Sequence, residues 1–204
     1  GFKGSFSIIT IIVDSGYEGP QSRLNNLSEF SSLASVDIWN ISTSFESMLV
    51  SKMISKTGFR LICVSQKNFR IEMPNIKGKA INFSNKKVIQ YLYGSQIAII
   101  CFNFSIMGLI KDLNHLDKNK VSLYNVINHK CDFEILAKKL VNFKKILILD
   151  DSRSEVSYSI LLSNLIKKFN SLVNIKIIKK KDSLSNLFPN KDGYDIDIIT
   201  EIRN

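Results

Sequence analysis

Short apolar runs alternating with helical patterns constrain this chain more than any other feature of its sequence. The runs at 6–13, 36–41, 59–66, 97–102, 121–127, 145–150 and 173–178 are of strand length and almost uninterrupted by charge. Strands apolar on both faces belong to parallel sheets covered by helices on each side. Helical periodicity fills most of the intervals, over 43–56, 104–116, 132–140 and 153–169. In the last of these Tyr158, Leu161, Leu162, Leu165, Ile166 and Phe169 recur at helical spacing and give one apolar face. The fold class expected is therefore α/β, with mostly parallel sheets.

One interval breaks the pattern. Residues 67–87 are polar, carry Pro74 and Gly78, and show no helical period. They read as a linker or extended arm, which places a domain boundary near residue 75. Residues 76–204 then hold four strands and three helices, a complete-looking unit. Residues 1–75 hold three strands and one clear helix, which reads as half a domain with an edge or face uncovered. A stable protein partner or a homodimer is expected to cover it.

Composition excludes several functions. Hydrophobic residues make up 45% of the 204, ample for a core. The net charge of +10 comes from lysines scattered along the chain, with one dense patch at 176–181 and no aromatic residues interleaved. That pattern argues against a nucleic-acid partner. No apolar run approaches the roughly 20 residues of a membrane span, and the first residues lack a small-residue cleavage site, so no signal peptide is expected. Cys63, Cys101 and Cys131 form no CxxC pair and lie in or beside apolar segments. They suit small buried residues in a reducing compartment, the cytoplasm or an organelle matrix. With only His115 and His129 to add, no zinc site is expected.

Two adjacent acids, Asp150 and Asp151, stand where an apolar run stops and a helical pattern begins. Such acids can hold a metal or a phosphate. The chain has neither GxGxxG nor GxxxxGK[ST], and the neighbouring strand ends carry Asn103 and Asn128, which are amides. The expected role is structural: Asp151 or Ser152 caps the following helix, with Glu155 in its first turn.

Residues 16–42 present a glycine-containing loop at a strand end, a short helical segment, a small-residue turn and a strand. This segment resembles the pyrimidine domain of transketolase-like enzymes, and within them the beta subunit of the 2-oxoacid dehydrogenase first component. There a loop of the form GPQHSQS follows a strand; here Gly19-Pro20-Gln21-Ser22-Arg23 stands in its place. Residues 45–56 are similar to the family helix that follows, residues 59–70 to its next strand, and residues 74–89 to its PLGKA-type arm. Residues 145–166 and 184–202 are similar to the strand–acid–helix unit and the C-terminal ending of the family. The resemblance implies a partial pyrimidine-type parallel sheet followed by a three-layer α/β domain of the transketolase C-terminal type.

The resemblance also implies thiamine diphosphate and magnesium in a complete assembly, with an alpha-like partner chain and a lipoyl-bearing acyltransferase as possible partners. A family carboxylate that hydrogen-bonds the aminopyrimidine has no counterpart in this sequence. Ser22 takes the place of the loop histidine and cannot act as an acid or base near neutral pH. Ser22 and Arg23 are therefore the candidate active-site positions, with no cofactor-binding or metal-ligating residue assigned. Ser55-Lys56-Thr57 falls where some members wrap a monovalent cation, and a lysine there opposes one. The isolated chain is expected to lack a complete active site, acting as an incomplete beta-like subunit or as a non-catalytic scaffold.

Overall fold

The first three apolar runs form β1 (Ser5–Ile12), β2 (Asp37–Ile41) and β3 (Gly58–Ser65), parallel in the order β1-β3-β2. The computed structural model describes residues 4–12, 27, 36–66, 72–81, 87–152, 157–179 and 198–203. Between β2 and β3 runs α1 (Ser44–Ser51), entered through Thr43. Thr43 Oγ1 accepts the Glu46 N–H at 3.2 Å while the Glu46 carboxylate accepts the Thr43 N–H at 3.2 Å. This reciprocal capping box satisfies donors that a helix start leaves open and is worth about 1 kcal/mol. The helix stops at Ser51 rather than at 56, and turns lead to Gly58, whose φ of +126° a side chain would strain.

A second sheet takes the order β4-β5-β7-β6-β8-β9. Its strands are β4 (Lys79–Ala80), β5 (Val88–Tyr93), β6 (Ile97–Phe102), β7 (Val121–Val126), β8 (Lys145–Asp150) and β9 (Asn174–Lys179). The strands β6 to β9 are parallel neighbours, whereas β5 runs antiparallel to β7 and β4 antiparallel to β5. The apolar runs predict four strands for residues 76–204, and among the described residues the second sheet has six. The segment Val88–Tyr93 has the β-branched and aromatic residues of a strand. Gln90 and the polar stretch before it hid the run, and a bulge between Gln90 and Leu92 disturbs its alternation. Part of the segment expected to be an arm thus joins the sheet.

Strand periodicity splits the second sheet's side chains between two cores. Ala98 and Ile100 of β6 and Ile146 and Ile148 of β8 face α3 (Phe133–Leu140) and α4 (Tyr158–Phe169). Their neighbours Ile99, Cys101, Leu147 and Leu149 face the other way. On that side lie α2 (Met107–Ile110), α5 (Ile198–Arg203) and, in the same apolar cluster, Trp39 and Ile41 of β2, Val50 of α1 and Ile62 of β3. A shared core therefore joins the two sheets.

The helix expected over 104–116 is broken into α2 and a 3-10 turn at Leu113–His115. Asn114, His115 and Asp117 are weak helix formers, and Gly108 sits inside α2. The helix expected from 153 is described from Tyr158, with Ser157 at its N-cap. Asp151 and Ser152 therefore do not cap it, and Glu155 lies outside the described residues.

Candidate functional site

The carboxyl ends of the parallel strands carry most of the buried polar residues. The two sheets meet there: Asn40 N–H donates to the Ile127 carbonyl at 2.8 Å, and Asn128 Nδ2 donates to Asp37 Oδ1 at 2.8 Å. Glu46, brought inward by the first turn of α1, lies fully buried at this junction. Its Oε2 accepts the N–H groups of Ser42 and Thr43 at 2.7 and 3.2 Å. Its Oε1 accepts from Tyr91 Oη of β5 at 2.6 Å and from Asn125 Nδ2 of β7 at 2.7 Å. Tyr91 Oη also lies 2.8 Å from Thr43 Oγ1. Desolvation raises the Glu46 carboxyl above its ordinary 4.5, against the lowering effect of these hydrogen bonds. Burial, then the neighbouring Glu46 charge, pushes the Tyr91 phenol up as well. This closed network ties α1 and β2 to β5 and β7.

The strand-end acid Asp150 is buried and serves as a hub of a second network. Its Oδ1 accepts the Ser152 N–H at 2.9 Å and Asn103 Nδ2 at 3.3 Å, and its Oδ2 accepts Ser159 Oγ at 2.5 Å. Asn103 follows β6 with φ at 55°, a left-handed conformation that asparagine tolerates better than most residues. Asp150 thus fixes the turns after β6 and β8 and the start of α4. None of these bonds is the helix cap expected at this junction, where Ser157 holds the N-cap position.

Beside it His129 is buried, its ring 4.8 Å from Tyr158 and 6.2 Å from Phe102, and among the described residues neither ring nitrogen has a hydrogen-bond partner. Desolvation lowers its pKa to about 4, with the Asp150 charge opposing. Because the folded value lies below the ordinary 6.5, His129 supports stability above that pH and withdraws the support as pH falls toward 4. His129→Phe is expected to be at least as stable as the wild type near neutrality, since two unpaired nitrogens disappear. Its advantage should widen toward about pH 5. Urea midpoints across that range check this, and a clearly weaker variant at neutral pH would show that the nitrogens are needed.

Arg60 of β3 explains the turn after α1. Its guanidinium, buried with the rest of the residue, donates to the carbonyls of Ile54, Lys56 and Thr57 at 3.0, 2.6 and 3.3 Å, and to Ser5 Oγ and Ser7 Oγ at 2.9 and 3.3 Å. Converging carbonyls of a turn attract a cation, and here the protein supplies one from its own chain. Lys56 contributes its carbonyl to this arrangement. Arg60, the cation in that turn, was not singled out from the sequence.

The candidate positions Ser22 and Arg23 lie outside the described residues. Among the described residues no group of three His, Cys, Asp or Glu side chains is placed to hold a metal ion. Glu46, Tyr91, Asn125 and Arg60 are the residues the sequence reading missed; only the Thr43-x-x-Glu46 spacing signalled one of them.

No family model and no curated protein sequence matches this chain. Solved structures do share its fold. A split-gene transketolase, in an inactive beta4 tetramer, superposes with a TM-score of 0.58 at 8% identity, over 88% of this chain and 58% of that one. A transketolase mutant from Pichia stipitis gives 0.52 at 15% identity, over 73% of this chain and 23% of that one. Pichia stipitis transketolase in complex with sedoheptulose 7-phosphate gives 0.50 at 16%, over 72% and 23%. The chain spans less than two thirds of the length of each. The similarity is to transketolase and does not single out the 2-oxoacid dehydrogenase beta subunit. The two sheets and their helices make up a transketolase-like α/β fold.

Proposed function

We propose that this chain is one component of a thiamine-diphosphate enzyme assembly, the beta-like subunit of a 2-oxoacid dehydrogenase, without a complete active site of its own. The observation that carries the reading is β1. Among the described residues it pairs on one side only, with β3, and it exposes apolar side chains on both faces. Phe6 and Ile9 are 53% and 69% exposed, and Phe59 beside Phe6 is 41% exposed. An apolar edge of this kind is a template for another strand. A protein partner or a second copy of this chain is the expected cover. Arg23 suits a substrate carboxylate or an acidic lipoyl-bearing partner. The protein would work in a reducing compartment, given its three free cysteines, all buried.

A scaffold role is the second reading, favoured by Ser22 in place of the loop histidine. Calorimetry separates the two. The isolated chain should give no heat with thiamine diphosphate and magnesium, and binding should appear once an alpha-like chain is added. Micromolar binding by the isolated chain would overturn the assignment of an incomplete site. Failure of the assembled complex to bind would leave the scaffold. Sedimentation of the purified chain as a well-folded monomer would count against the covered edge.

A further inference from the structure

At the opposite end of the second sheet from the strand-end acids, the amino ends of β6, β7 and β8 open onto a cavity of about 450 Å³. That size falls within the range of small-molecule sites. Its apolar wall comes from Ile97, Leu116, Val121, Ile199 and Ile202, with α5 supplying the last two. Among the described residues its polar lining is cationic: Lys120, Lys144 and Lys145 stand against a single acid, Asp117, with His115 and Gln96 beside them.

The charges are not all equivalent. Lys145 is largely covered; its Nζ donates to the Glu201 carbonyl and lies 4.0 Å from the Glu201 carboxylate, which Lys176 engages at 2.7 Å. Lys145 thus anchors α5 over the cavity. Asp117 is answered by Lys120 at 3.6 Å in an exposed pair, worth little to either partner. Lys144 is exposed, and its backbone is fixed by its N–H to the Gln96 carbonyl at 2.9 Å. Exposed ammonium groups of Lys120 and Lys144 beside a largely buried apolar wall suit an anion with a hydrophobic body. A cation would meet repulsion there, and a neutral apolar molecule would forgo the charges.

We propose that this cavity binds a small organic anion, a phosphate or carboxylate head on a compact apolar body. The head meets Lys120 and Lys144, and the body lies against Leu116, Val121 and Ile199. The site stands apart from the strand-end networks and from the β1 edge, so it does not depend on the proposed assembly.

Amide chemical shifts of the full chain provide the test, with phenyl phosphate, benzoate, inorganic phosphate and benzyl alcohol as separate probes. Phenyl phosphate or benzoate should shift Gln96, Ile97, Val121 and Lys145 in a saturable way, the stronger of the two identifying the head group. Inorganic phosphate and benzyl alcohol should each bind about tenfold more weakly, the equivalent of losing one modest contact. A Lys120→Gln, Lys144→Gln double variant should weaken the aromatic anion by a similar factor at an unchanged melting temperature. Leu116→Ala should weaken it without altering any response to inorganic phosphate. Absence of saturable shifts into the millimolar range overturns the proposal, as do shifts confined to other residues. Equal binding of inorganic phosphate and the aromatic anions would also overturn it, because the apolar wall would then play no part.

Discussion

Glu46→Ala is expected to destabilise the protein by about 4 kcal/mol, the scale of breaking a buried polar network. The substitution leaves Tyr91 Oη, Asn125 Nδ2 and the N–H groups of Ser42 and Thr43 without their acceptor, all at a fully buried position. It also opens a hole where α1 meets β5 and β7. Glu46→Gln should behave differently. A neutral side chain can place its amide near Tyr91, while Asn125 turns its own amide over. Asn125 Oδ1, which has no partner in the native arrangement, would then accept from the new NH2 group. The cost of Glu46→Gln should therefore stay near 1 kcal/mol. Urea unfolding at one pH distinguishes the two, and equal losses would mean that the site demands the ionised carboxylate.

The same pair gives a pH signature. Burial raises the folded Glu46 carboxyl above 4.5, so the folded state favours its protonated form. Its contribution to stability is complete below the unfolded value and declines as pH rises through the folded one. The stability of the wild type relative to Glu46→Gln should thus fall as pH increases from about 4.5. A relative stability that rises over that interval would place the folded value below the ordinary one.

Gly94→Ala is expected to cost about 3 kcal/mol or more, beyond the ordinary penalty of overpacking. A Cβ at this position would lie 2.2 Å from Val121 N and 2.3 Å from Lys120 C. Both are backbone atoms of the segment entering β7, and no rotamer change can move them aside. The glycine is held in place from both directions. Its N–H donates to the Val121 carbonyl at 2.9 Å, and its carbonyl accepts from Ser122 Oγ at 2.6 Å. Relief would require the β5–β6 connection to lift from the sheet, so the loss should appear as a lowered urea midpoint. A change below about 1 kcal/mol would show that this connection yields easily.

The central parallel strands and the class of fold were legible because burial on both faces leaves a direct trace in composition. The runs at 97–102 and 145–150 match β6 and β8 residue for residue. The residues that tie the sheets together left a weaker trace. Glu46 fell within the helical pattern over 43–56, and the structure makes Thr43-x-x-Glu46 the capping box of that helix. Its second pair of partners lies 45 and 79 residues away, and no local pattern specifies such contacts. Asp150 and Asp151 showed the same limit, since their position suggested a cap while the partners of Asp150 come from three different segments.

By itself the sequence determined an α/β chain with buried parallel strands, because hydrophobic periodicity is set residue by residue and survives without knowledge of neighbours. Tertiary structure alone decided that Val88–Tyr93 joins the second sheet antiparallel, that Arg60 supplies the cation of its own turn, and that one core spans both sheets. Each depends on groups distant in sequence meeting in a dry interior, where an unpaired donor or charge is costly and only a complete set of partners is stable.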